Sequence, residues 1–148
     1  MKISDIDTRN RIAEFLRSAP RFKVVVLNAE SFEPSFPHVN VGHAVASYLK
    51  EKGLTPKAFN EAKYFLSNYV AEAIQDDDEY GKFVCLTNLG IMFEQQLDLS
   101  PVDFIANISR NVLVLLQWNG AIDNQKLYFL DKNSKYSIDL ENINHITI

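Results

Sequence analysis

The sequence predicts a three-layer α/β domain, with a mostly parallel sheet flanked by helices and a β-rich antiparallel tail. Three observations carry that expectation. Apolar runs at Phe22–Leu27, Phe83–Leu86 and Val112–Leu116 have no polar face, as strands covered on both sides require. Amphipathic helical stretches alternate with them, the pattern that builds right-handed crossovers and layered domains. After Gly120 the rhythm changes to short alternating segments separated by Asp, Asn and Ser.

Taken in order, residues 4–18 form the first helix. Ile6, Ile12, Ala13, Phe15 and Leu16 recur at helical spacing, Ser4 or Asp7 is placed to cap the start, and Pro20 ends it. The β-branched run Val24-Val25-Val26 makes the first strand. Ser31, Pro34, Ser35 and Pro37 mark residues 28–39 as a loop. Asn40 caps a helix through Lys52 whose apolar stripe is Val41, Val45, Tyr48 and Leu49, and Gly53 stops it. Thr55-Pro56 opens another helix, because proline at the first helical position loses no needed donor. It runs to about Gln75 with Phe59, Ala62, Phe65, Leu66, Tyr69, Val70 and Ile74 inward. Residues 76–81 make an acidic turn before the second strand, residues 82–88. Ser100, Pro101 and Asp103 open a short helix with a near-capping-box pattern. The third strand follows Asn111. Residues 126–130, 136–140 and 145–148 are expected as antiparallel strands at one side of the sheet.

A chain of 148 residues is long enough to bury a core without staples, and the whole of residues 1–148 is read as one domain. A net charge of −4 gives no global drive toward nucleic acid or anionic lipid. Cys85 is the only cysteine, so no internal disulfide forms. Apolar stretches reach about seven residues, too short for a bilayer, and the first residues carry alternating charges instead of a signal-peptide core. A cytoplasmic protein with no membrane partner is expected.

In open parallel sheets ligands bind where the strands end at their carboxyl side. A nucleotide enzyme would place a glycine-rich loop with Lys and Ser or Thr after the first strand, cradling phosphates at a helix N-terminus. Here Gly42 and His43 stand at that degenerate position, and the loop's charges are Glu30 and Glu33, which repel phosphate. The magnesium-holding carboxylate expected after the second strand is replaced by Thr87-Asn88. His38 and His43, five apart, do not share a helix face and have no third ligand at a recognisable offset. His145 reads as a satisfied surface histidine and Cys85 as an inert core thiol. No catalytic residue, metal or cofactor is assigned. Trp118, directly after the third strand, has two readings: a cap on the core under the tail, or an interface anchor of a type enriched at binding hot spots.

Charge is uneven. Residues 1–23 carry six bases (Lys2, Arg9, Arg11, Arg17, Arg21, Lys23) against three acids (Asp5, Asp7, Glu14), net +3. Residues 72–103 carry eight acids and one base, net −7. Arg9, Arg11, Arg17 and Arg21 are therefore candidate nucleic-acid contacts. Asp76-Asp77-Asp78-Glu79 reads most simply as a solvated turn, with a docking surface for a basic partner as the minor alternative.

Residues 85–120 resemble a known family. The pieces are Asn88-Leu89-Gly90-Ile91-Met92-Phe93-Glu94, then Leu97-Asp98-Leu99-Ser100-Pro101, then Ser109-Arg110-Asn111, closing on Trp118-Asn119-Gly120, with Lys126-Leu127-Tyr128 beyond. In that order they are similar to the small P-loop-containing component of bacteriophage-exclusion (BREX) defence systems, where the closing motif tends to be Trp-Pro-Gly. The family's phosphate-binding lysine and metal-holding acid have no counterparts here. The resemblance thus implies a degenerate relative, a pseudo-ATPase that keeps a P-loop-like scaffold. It implies work beside other protein subunits in a prokaryotic anti-phage or DNA-modifying complex. On that reading the chain is a non-catalytic interaction subunit using the 29–39 loop, the 89–99 loop and the rim of the sheet. Phe36, Asn88, Phe93, Trp118 and Asn119 are the interaction candidates. The alternatives are a divergent nucleotide-binding, ATPase-like protein and a DNA-contacting accessory module.

Overall fold

The three apolar runs become the strands that organise the molecule in a computed structural model, which describes residues 5–28 and 37–148. Strand β1 (Val24–Asn28), β4 (Gly81–Thr87) and β5 (Leu113–Trp118) lie side by side and parallel, with β5 in the middle. Val24 is level with Val114 and Asn28 with Trp118, while Val84 is level with Val114 on the other side. Two short strands that the sequence reading missed complete one edge. β2 (Val39–Asn40) runs parallel to the end of β4, and β3 (Gln75–Asp77) runs antiparallel to its beginning. The long helix therefore stops at Glu72 rather than near Gln75, and part of the expected acidic turn is a strand.

The tail divides. β6 (Ile122–Asp123), β7 (Lys126–Tyr128) and β8 (Ser137–Asp139) form an antiparallel sheet: β7 and β8 fall in expected segments, whereas β6 was not expected and the sheet is separate from the main one. β9 (His145–Thr147) does not join it: it pairs parallel with β1, Val25 level with Ile146, and extends the main sheet to the order β2-β4-β5-β1-β9. The expected third antiparallel segment is thus a parallel edge strand. Alternation reports a half-buried strand but not its direction.

Because successive side chains point to opposite faces, one strand sequence serves two cores. Val24, Val26, Val84, Leu86, Val114 and Leu116 face α2 (Val41–Lys52), α3 (Pro56–Glu72) and α4 (Pro101–Ser109), together with Leu127, Ile138 and Leu140 of the small sheet region. Val25, Leu27, Phe83, Cys85, Leu113 and Leu115 face Ile12 on α1 (Ile6–Arg17). This is a helix–sheet–helix arrangement. No helix among the described residues is long and apolar enough to cross a membrane.

Local chemistry sets the helix ends. Asn40 and Thr55 cap α2 and α3, with Pro56 in the first turn, and Gly53 at φ 87° supplies the left-handed stop. α1 is capped by Asp5, not by Asp7: its carboxylate accepts the Asp7 and Thr8 amides and the Thr8 hydroxyl, while Ser4 lies outside the described residues. The Thr8 hydroxyl bond, the largest of these effects, helps hold the Asp5 carboxyl below its ordinary pKa. Ile6 points to solvent. Ser100 is left-handed and makes no side-chain cap, so α4 starts on Pro101 without the expected box. Tyr48 stacks on Phe65 at 4.5 Å and ties α2 to α3.

Cys85 is 1% exposed, and burial pushes its thiol up to about 12. It therefore stays un-ionised at neutral pH. Native protein at pH 8 is expected to react with a thiol-directed disulfide reagent at least a hundredfold more slowly than urea-unfolded protein. Equal rates would show that the inner layer opens freely.

Candidate interaction site at the carboxyl ends of the strands

The parallel strands deliver a row of amide side chains to one rim: Asn28 ends β1, Asn88 follows β4, Asn119 follows β5 and Asn40 precedes α2. Asn88 is a junction. Its backbone is left-handed (φ 55°, ψ 58°), its carbonyl accepts the Gly42 amide at 3.0 Å, and its side-chain amide donates to Asn40 Oδ1 at 2.9 Å. The same Asn40 oxygen accepts the His43 amide at 2.9 Å. A Cβ on residue 42 would lie 2.5 Å from Asn88 Nδ2, so this approach needs glycine. Two N-terminal amides of α2 that could greet an anion, those of Gly42 and His43, are engaged by the chain itself. Gly42 also sits beside the edge strand β2, separated from β1 by β4 and β5, rather than directly after β1. The degenerate phosphate-loop position is thus a closed turn. His43 is exposed, and among the described residues no three His, Cys, Asp or Glu side chains gather as metal ligands.

Beside this junction the chain after β4 coils through two 3₁₀ turns, Leu89–Phe93 and Gln95–Leu97, where the sequence suggested a plain loop. Phe93 is half-buried and reaches three rings: Trp118 edge-on at 6.5 Å, Phe129 at 5.6 Å and Tyr136 at 5.7 Å. Trp118 is 6% exposed, and its indole N–H donates to the Tyr128 carbonyl at 3.0 Å. Of its two readings, the ring occupies the one that caps the core beneath the small sheet. Gly90 and Gly120 make room for this: a Cβ on residue 90 would press on the Phe129 ring at 2.8 Å, and one on residue 120 would overlap the Tyr128 carbonyl. Asn119 is exposed beside it; Phe36 lies outside the described residues, as do Glu30 and Glu33.

A pocket of about 190 Å³ opens between these parts, lined by Asn88, Leu89, Gly90, Trp118, Asn119 and Leu130 among others. Leu130 at its mouth is the surprise. Its side chain is 74% exposed and its backbone has φ 74°, a conformation that costs a non-glycine residue about 1 kcal/mol or more. The Ala121 amide donates to its carbonyl at 3.2 Å and holds it there. Nothing in the sequence marks a leucine for that backbone; it merely ends the apolar run 127–130 before the polar run 131–135.

The four candidate arginines separate. Arg9 pairs with Glu79 at 2.8 Å, and that bond is the main reason its guanidinium titrates above the ordinary arginine value. Arg11 donates to the Thr147 carbonyl at 2.9 Å. Arg17 closes α1, and Arg21 lies over the Phe22 ring at 5.2 Å. Arg9, Arg11 and Arg21 thus each have a different partner. In the acidic band, Asp76 pairs with Lys82 at 3.2 Å, and Asp77 accepts the Glu79 and Tyr80 amides to form the turn.

No family model, curated protein or solved structure matches this chain.

Gly120→Ala is expected to destabilise the fold by about 2 kcal/mol or more, since a backbone carbonyl cannot move aside as a flexible side chain can. Urea unfolding checks this; an unchanged midpoint would mean that the small sheet is not held through Trp118 and Tyr128.

Proposed function

We propose that this chain is a non-catalytic protein-interaction subunit of a prokaryotic anti-phage defence complex, on a P-loop-like scaffold that no longer handles nucleotide. The observation that carries the interaction role is Leu130: a large apolar side chain held in solvent, on strained backbone, beside a small pocket of mixed lining at the carboxyl ends of the strands. Strain of this kind persists where surrounding structure enforces it, and it clusters at functional sites. The pocket is small against the range typical of cofactor clefts. It suits one large apolar side chain of a protein partner, with Asn88 and Asn119 at the edge for backbone contacts. Trp118 and Phe93 then act from beneath, as the rigid floor of the surface.

The non-catalytic part rests on the closed turn at Gly42, Asn40 and Asn88. The defence context and the P-loop-like lineage rest on the resemblance of residues 85–120. The matched residues have physical work in this fold: Gly90 admits Phe129, Phe93 joins the rings, Leu97 and Leu99 are buried, and Trp118 with Gly120 anchors the small sheet.

Leu130→Asn separates binding from folding, because asparagine tolerates left-handed backbone and is polar. Captured from its host and read by mass spectrometry, the native protein is expected to bring down partner subunits. The variant should bind them tenfold or more weakly, with a melting temperature equal to or above the parent's. Full retention of partners removes Leu130 as the anchor. Trp118→Ala is a poorer probe, since emptying so buried a site costs about 3–5 kcal/mol. Calorimetry with ATP and magnesium is expected to show no saturable binding below the millimolar range; micromolar binding would return the divergent nucleotide-binding reading.

A further inference from the structure

At the opposite end of the sheet the chain gathers positive charge around one ring. Phe22, two residues before β1, is 9% exposed, and its amide donates to Asn144 Oδ1 at 3.2 Å. The Arg21 guanidinium lies 5.2 Å from its ring centroid and the Arg110 guanidinium 5.6 Å. Lys23 follows at once. Its amide donates to the Ser109 carbonyl at 2.9 Å, and its own carbonyl accepts the Val114 amide at 2.8 Å. The start of β1, the end of α4 and the start of β5 are thus fastened together, which holds Arg21 and Arg110 over one ring with Lys23 next to it in the chain. None of the three makes an ion pair with a described carboxylate. Arg110 at the end of α4 is favourably placed against that helix's dipole, which accounts for one charge. It does not account for Arg21 and Lys23, which lie on a connecting segment.

We infer that this patch is a contact for the phosphate backbone of nucleic acid. Guanidinium forks match phosphate oxygens in pairs, and a nucleic acid supplies the evenly spaced anions that such a group of cations lacks. The Phe22 ring is buried, so it offers neither a stacking platform for a base nor an anchor for an apolar peptide side chain. The contact is therefore electrostatic and blind to sequence. It differs from the basic stripe read along the first helix: of the four arginines there it keeps Arg21 alone, and Lys23 and Arg110 enter. It is independent of the Leu130 surface, which lies about 20 Å away at the other end of the strands.

The test is fluorescence anisotropy of the full chain with labelled duplex DNA of mixed sequence. Three phosphate contacts predict that affinity falls about fortyfold between about 50 and about 200 mM salt. Arg21→Gln with Arg110→Gln should lower affinity at the lower salt tenfold or more and flatten the salt dependence. Lys50→Gln with Lys52→Gln, the same charge change at the end of α2, should alter neither. If the glutamine pair lowers the melting temperature, Arg21→Lys with Arg110→Lys keeps the charge and should restore most of the binding. No binding at low salt, a flat salt dependence, or equal losses in both glutamine pairs overturns the assignment. Competition by poly-glutamate as strong as by DNA of equal charge also overturns it, in favour of an acidic protein segment.

Discussion

Every layer of this structure is referred to β5. Leu113, Val114, Leu115 and Leu116 are 1% exposed or less, and the strand is hydrogen-bonded in parallel on both sides. Each such side chain contributes about 1.5–3 kcal/mol of hydrophobic stabilisation before the entropy of ordering is set against it. Two of the four point to α1 and two to the other helices, so the same six residues of chain position both outer layers. The strand ends on Trp118, whose indole extends its influence into the small antiparallel sheet. The rim pocket and the amino-end patch are thus the two ends of one rigid ladder.

At the rim, groups that could meet a ligand are bonded to the chain itself. A helix N-terminus offers amides and a partial positive charge to whatever anion approaches. At α2 that capacity is used internally, by Asn40 and by the carbonyl of Asn88. A polar junction with its donors satisfied is rigid and chemically quiet. What remains presented outward is shape, neutral amides and one apolar side chain.

Much of the architecture was legible because burial on both faces leaves an unambiguous mark: runs such as Val24-Val25-Val26 and Leu113 through Leu116 can hardly be anything but inner strands. Asn40, Gly53, Thr55 and Pro56 marked helix ends by backbone chemistry that acts locally. The failures are non-local. The sequence around Ile146 shows a half-buried strand but not which neighbour it chooses. Gln75–Asp77 is polar because it is an exposed edge, so its strand character comes from pairing with β4 and not from its own side chains. Ser100 looked like a cap, yet its left-handed backbone turns the hydroxyl away from that task. At the site, Asn88 and Trp118 were visible as residues at strand ends, whereas the exposure of Leu130 and the meeting of Arg21 with Arg110 exist only in three dimensions.

The pairing of β1 with β9 joins Val24 to His145, residues at distant parts of the chain. During synthesis β1 emerges early and waits for that neighbour while nearly everything between them is made. Contacts of such long sequence separation slow folding, and an unpaired, wholly apolar strand is a template for wrong partners in the interval. Arg11, donating to the outward-facing carbonyl of Thr147, guards the finished edge. The nascent one has no such guard, so the outer edge of β1 stays open until β9 is made.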